Sequence, residues 1–179
     1  MLREAVQAGT ELGRAARSVM DAGRLVSDDI MIGIVRERLD RADAQRGFVL
    51  DGFPRTVTQA MALDDLLAVE PPLVVIDVEV PDDILVQRLS ERRICASCSW
   101  IAAPGAERCA KCGGTLITRR DDEDSVVRER LKVYGRDTQP IVDYYRQRSS
   151  FRSVDGDQTP DAVAADIAAA VASVVGGLS

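Results

Sequence analysis

Cys95, Cys98, Cys109 and Cys112 constrain this chain more than any other feature, standing as C-x2-C, ten residues, then C-x2-C. The segment around them, Arg93 to Thr118, holds Gly, Pro and a single Trp but no long apolar run, so it has almost no core of its own to fold around. Two CxxC pairs at this spacing are the pattern of a four-thiolate zinc site, and Gly113-Gly114 after the second pair permits close backbone approach to sulfur. Four thiolates close a tetrahedral shell and leave no position for water or substrate, so the expected ion is structural. The competing reading is a reduced, metal-free or disulfide-clipped loop.

Outside this segment the chain reads as one α/β domain with a small insert. Its 179 residues are 46% hydrophobic, enough to bury a core. Apolar spacing predicts helices over Leu2 to Ala8 and Glu11 to Ala22, with Gly9 and Gly23 where a helix stops. Ser27, two aspartates and the series Ile30, Ile34, Val35, Leu39 predict an N-cap, an acidic first turn and an amphipathic helix. Phe48-Val49-Leu50 and Leu73 to Val80 read as buried strands, with a helix over Thr56 to Val69 between them. Pro81-Asp82-Asp83 starts a further helix to about Arg92. After the insert, Asp121 to about Arg148 is expected to be helical, with Pro140 kinking that helix or starting another. Phe151 to Val154 reads as a third strand, and a final helix runs from about Asp161 to Val174. Strand alternating with helix is the pattern of a parallel sheet.

Composition narrows the chemistry. Histidine is absent, which excludes a histidine base, a Ser-His or Cys-His pair and a mixed Cys/His zinc site. The formal net charge of −6 argues against attraction to nucleic acid or an anionic membrane through the whole-molecule field. No stretch approaches the roughly twenty apolar residues needed to span a bilayer, and Met1 to Gly9 lacks the basic flank and apolar core of a leader. The expected location is the cytosol, where thiols stay reduced and paired CxxC units serve as metal ligands.

Two further features bear on function. Asp51-Gly52-Phe53-Pro54-Arg55 follows a predicted strand, where ligands of open α/β sheets sit; the carboxylate suits a hydrated magnesium ion and the arginine a phosphate. Taken alone, the five residues fit a polar turn with a surface ion pair equally well. Arg88, Arg92 and Arg93 precede the cysteine module, and Arg119, Arg120, Arg128 and Arg130 follow it. Such clusters usually mark a solvated face, but bracketing the insert in an acidic chain they would surround one cleft, as phosphoryl transfer requires.

Together these residues closely resemble the adenylate kinase family. The run from Gly47 to Thr56 followed by Gln59 is similar to the family signature. Met1-Leu2-Arg3, Asp21 to Val26, Arg92 to Cys95, Arg119 to Asp122, Val127 to Leu131 and Val154-Asp155-Gly156 fall in the family's order, within the subgroup whose lid is held by four cysteines. The resemblance implies a P-loop kinase-like parallel sheet flanked by helices, with residues 1–26 an AMP-binding segment, 27–91 and 124–179 the core, and 92–123 a zinc-binding lid. It implies phosphoryl transfer from ATP, as its magnesium complex, to AMP, giving two ADP, by a monomer. By motif match, Arg3, Arg24, Leu25, Val26, Gly52, Phe53, Pro54, Arg55 and Gln59 would bind AMP. Arg88, Arg92, Ile101, Ala102 and Gln158 would meet ATP. Arg55, Arg92, Arg119 and Arg130 would clamp the phosphates, and Asp51 would hold the magnesium hydration shell. Asp121 would order the lid against the arginines. Positioning and electrostatics carry such a reaction, so it needs no histidine.

The chain also departs from that pattern. The family opens with a central strand and a glycine-rich phosphate loop, and this sequence starts where the family has an internal methionine, about thirty residues further on. The expectation is therefore that Met1 is an internal methionine of a longer protein. A chain starting at Met1 is expected to be poorly stable and nearly inactive. Ile101-Ala102 stand where the family has Ser or Thr followed by Tyr, and the loop before Cys109 is shorter. The rival readings are a zinc-ribbon binding module for nucleic acid, which 4% aromatic residues serve poorly, and an inactive AMP-binding paralogue.

Overall fold

Capping residues set the first helices. The computed structural model describes residues 1–22, 26–67 and 73–178, leaving aside the side chains of Arg3, Gln45, Arg120 and Leu178. Helix α1 (Leu2–Ala8) stops at Gly9, whose left-handed φ of 65° turns its N–H back onto the carbonyls of Ala5 and Val6. Thr10 opens α2 (Glu11–Asp21) by accepting a hydrogen bond from the Gly13 N–H. Ser27 holds the N-cap position of α3 (Asp28–Leu39), but its hydroxyl makes no capping bond, and Asp28 and Asp29 supply the negative charge that the helix N-terminus favours. Thr56 caps α4 (Val57–Leu66) through the Gln59 N–H.

Helix α3 is apolar on two faces, and each seeds a cluster. Ile30 and Ile34, four residues apart, pack with Ala5 and Ala16 of α1 and α2. Met31, Val35 and Leu39 pack with Phe53, Leu50 and Leu63. These elements belong to the first of two compact units, Met1–Leu73 with Asp137–Tyr144; the second is Val74–Arg136 with Tyr145–Ser179.

In the second unit the order is β1 (Val75–Glu79), α5 (Asp82–Glu91), β2 (Ile94–Cys95) and β3 (Leu116–Ile117), then a single 3-10 turn (Arg120–Asp122) and α6 (Asp124–Val133). A π-helical stretch (Tyr134–Thr138) leads into α7 (Gln139–Tyr145), followed by β4 (Phe151–Asp155) and α8 (Pro160–Val175). Strands β1 and β4 are parallel, Val75 opposite Phe151 and Glu79 opposite Asp155, and β2 and β3 form a short antiparallel hairpin at the base of the cysteine segment. The architecture is a small parallel sheet with flanking helices, as the alternating pattern predicts. The expected kink at Pro140 takes the form of the π-helical stretch just before it. Proline has no N–H for the carbonyl four residues back and its ring crowds that carbonyl, so the preceding turn widens.

One expectation fails. Phe48 to Leu50 forms no strand, and Val49 is 93% exposed. A buried strand needs a neighbour for its N–H and C=O groups, and no described residue pairs with this run. Leu50 alone turns inward, against the cluster around Phe53.

Candidate functional site

The two CxxC pairs form matched knuckles. The Ser99 N–H donates to the Cys95 carbonyl at 2.9 Å and the Gly113 N–H to the Cys109 carbonyl at 2.8 Å, each closing a turn around its own pair. Both donors are left-handed, Ser99 at φ 57° and Gly113 at φ 70°. Gly114 is required by close approach: a Cβ there would lie 2.9 Å from the Cys95 sulfur. All four Sγ atoms lie within 4.8 Å of one another, with Cys95 to Cys112 and Cys112 to Cys98 at 3.4 Å and Cys98 to Cys109 at 3.6 Å. Ligand sulfurs of a tetrahedral zinc ion stand about 3.8 Å apart, given a metal–sulfur bond of about 2.3 Å. The group therefore fits a metal ion, and its all-sulfur donor set suits a soft or borderline divalent one. The Cys98 N–H aimed at the Cys95 sulfur, helped by Ser97, lowers that thiol to about 6. At Cys112 the Gly114 N–H also lowers the pKa, but the three neighbouring sulfurs outweigh it and raise the thiol to about 12. The first thiolate forms readily, and the last needs a cation among the sulfurs.

Where the chain leaves this segment, three arginines converge on two adjacent aspartates. Arg92, at the end of α5, grips Asp122 with both arms of its guanidinium, Nε donating to Oδ2 at 2.9 Å; the Asp122 side chain is fully buried. Arg119 makes the same two-armed contact with Asp121, Nε to Oδ1 at 2.9 Å. Arg130, on α6, donates to the Asp121 carbonyl at 3.2 Å. Arg119 first, with its own charge and that of Arg130 behind, holds the Asp121 carboxyl below the usual range. Three guanidiniums around one turn create a strongly anion-seeking surface, because Asp121 is still partly exposed and a phosphate offers more acceptor oxygens than a carboxylate.

Arg88, one helical turn before Arg92, reaches the β4–α8 loop, donating to the Gly156 carbonyl and to Asp157 Oδ1, both at 2.8 Å. Gln158 in that loop donates to the Asp155 carbonyl at 3.0 Å and to Asp166 at 2.9 Å. Thus Arg88 and Gln158 are brought to one loop. Ile101, 60% exposed, bridges to Ile94, and the Ala102 N–H donates to the Arg93 carbonyl.

In the first unit, Asp51 to Arg55 form one turn ahead of α4. Gly52 has a φ of 76°, and a Cβ there would meet the Arg55 guanidinium at 3.0 Å, so only glycine turns freely while the Arg55 Nε donates to the Gly52 carbonyl at 2.8 Å. Phe53 is buried in the cluster and anchors the turn, Pro54 follows it, and Asp51 stays exposed. The Arg55 N–H donates to Gln59 Oε1 at 2.8 Å, and Thr138 donates to the Arg55 carbonyl at 3.1 Å. Val26 packs against the α1–α2 cluster. Arg24, Leu25 and the Arg3 side chain lie outside the described residues.

Reading the sequence did not pair Arg92 with Asp122, or Arg88 with the β4–α8 loop. The first pair spans 30 residues and the second 69, and no local spacing signals either. The signal that was there was chemical: two consecutive aspartates amid arginines need partners.

A small parallel sheet with flanking helices, an arginine cluster and a four-thiolate insert define an α/β phosphotransferase of the nucleoside monophosphate kinase class. Comparison with known proteins narrows this further. The family model for adenylate kinase matches residues 1–150. The adenylate kinase of Archaeoglobus fulgidus is 47% identical, across 94% of this chain and 82% of its own length. That of Moorella thermoacetica is 46% identical, across 91% and 79%, and that of Desulfitobacterium hafniense 47%, across 93% and 81%. The chain belongs to the adenylate kinase family.

Proposed function

We propose that this chain carries the ATP- and AMP-handling groups of an enzyme that moves the terminal phosphoryl group of ATP onto the α-phosphate of AMP, yielding two ADP. The observation that carries this reading is the convergence of Arg92, Arg119 and Arg130 on the turn at Asp121-Asp122, beside an insert that can hold a metal. In this reading the residues 92–123 are the lid, 1–26 the AMP-binding segment, and 27–91 with 124–179 the core. Arg3, Arg24, Leu25, Val26, Gly52 to Arg55 and Gln59 receive AMP; Arg88, Ile101, Ala102 and Gln158 receive ATP. Arg55, Arg92, Arg119 and Arg130 neutralise the charge that spreads over the transferring oxygens, and Asp51 orients water around the magnesium that arrives with ATP. Zinc at Cys95, Cys98, Cys109 and Cys112 supplies rigidity to a segment without a core and takes no part in the chemistry. The net charge of −6 and the absence of any helix long and apolar enough to cross a membrane support a cytosolic monomer that acts on small nucleotides.

Ligand-dependent unfolding tests the reading. AMP at a hundred times its dissociation constant is expected to stabilise the chain by about 2.7 kcal/mol, and Arg55→Ala to abolish most of that gain. No stabilisation by AMP, together with salt-dependent binding of RNA or DNA, would replace it with the nucleic-acid-binding reading.

A further inference from the structure

Gln59 is the only buried uncharged polar side chain among the described residues, 5% exposed, and its amide is held at both ends. Its Oε1 accepts from the Arg55 N–H at 2.8 Å, and its Nε2 donates to Asp28 Oδ1 at 2.6 Å. The other Asp28 oxygen, Oδ2, accepts from Thr56 Oγ1 at 2.8 Å, and Thr56 Oγ1 in turn accepts from the Gln59 N–H at 3.2 Å. The ring Asp28, Thr56, Gln59 thus links the first residue of α3 to the first turn of α4.

The ring has a chemical direction. A backbone N–H can only donate and a carboxylate can only accept, so Arg55 and Asp28 demand the same orientation of the Gln59 amide, and its oxygen and nitrogen cannot exchange places without losing both bonds. An amide has two N–H groups and two oxygen lone pairs; one of each is used, leaving one donor and one acceptor. A donor beside an acceptor is complementary to the 6-amino edge of a purine, where N1 accepts and N6 donates. The 6-oxo edge reverses both roles, and reading it in the same pose requires the amide to flip.

We propose that Asp28 is a specificity-positioning residue, which by locking the Gln59 amide makes the monophosphate site select a 6-aminopurine over a 6-oxopurine. The inference rests on the assignment of Gln59 to the AMP site above. Asp28 touches no nucleotide in this scheme; it acts through Gln59. Replacing it with Asn removes the demand for a donor, because Asn can present an N–H to a flipped Gln59, and replacing it with Ala removes the clamp altogether.

The test is equilibrium binding of AMP and IMP, which differ at the purine 6-edge, to the full chain and to its Asp28→Asn and Asp28→Ala variants. The native chain is expected to prefer AMP by about tenfold or more. Both variants are expected to narrow that ratio to within about threefold, Asp28→Asn chiefly by gaining IMP affinity. A general loosening of the fold would weaken both nucleotides together and leave the ratio in place. If either folded variant keeps the native ratio, or if the native chain binds AMP and IMP equally, Asp28 does not set the selection. If the native chain binds neither nucleotide, it is the monophosphate-site assignment that falls.

Discussion

Ser99 is the one non-glycine residue at positive φ among the described residues, and it occupies in the first knuckle the place Gly113 occupies in the second. Left-handed backbone costs an L-residue about 1–2 kcal/mol, and glycine returns about 0.5–1 of that as extra freedom in the unfolded chain. Ser99→Gly is therefore expected to stabilise the metal-loaded protein by about 0.5–1 kcal/mol in a urea titration; an unchanged or lower midpoint would show that the serine hydroxyl contributes to the knuckle. Burial ranks the ion pairs. Asp122→Ala strands the partly buried Arg92 guanidinium, and a loss of about 3 kcal/mol is expected by the same measurement, with Asp122→Asn falling less because an acceptor remains. The exposed pair of Arg128 and Asp124 on α6 has comparable geometry but both ends in water, so Asp124→Ala is expected to change stability by no more than about 0.5 kcal/mol.

At the scale of elements, β1 carries an acidic residue where a core strand usually carries an apolar one. Burial first, and the nearby Glu79 second, push the Asp77 carboxyl above its ordinary value, against the opposing charge of Arg146. A raised carboxyl favours the native state when protonated, so its ionised form weighs on stability above the native pKa and that penalty vanishes as pH falls below the ordinary carboxylate range. Asp77→Asn is expected to melt higher than the parent at pH 7, with the difference shrinking steadily as the pH falls; a constant offset would point to packing in place of charge. The same strand shows how far local patterning reaches. Alternating apolar residues placed β1 and β4, and Thr10, Thr56 and Thr159 marked helix starts that all carry their capping bonds. The apolar run at Phe48 to Leu50 satisfied the same pattern and formed no strand, because pairing is a property of two segments and propensity of one.

At the scale of the whole molecule, the segment from β2 to β3 depends on a metal for its shape more than any other part of the chain. Chelation is expected to lower the thermal midpoint and to make trypsin cut first at Arg108 and Lys111, with protection restored by zinc; equal protection with and without chelator would mean that the two knuckles hold themselves. The sequence by itself determined the cysteine module, the turn from Asp51 to Arg55, the helix starts and the α/β alternation, since each is written in spacings of a few residues and in side-chain chemistry. It also carried the family resemblance, because the arginines and the Asp51 turn keep their order along the chain. Only the tertiary structure decided that Arg92 meets Asp122, that Arg88 reaches the loop after β4, that Asp28 locks Gln59, and that Val49 faces water. Those outcomes depend on which segments meet across tens of residues, where packing and the need to satisfy every buried donor and acceptor select one arrangement among many that local patterning allows.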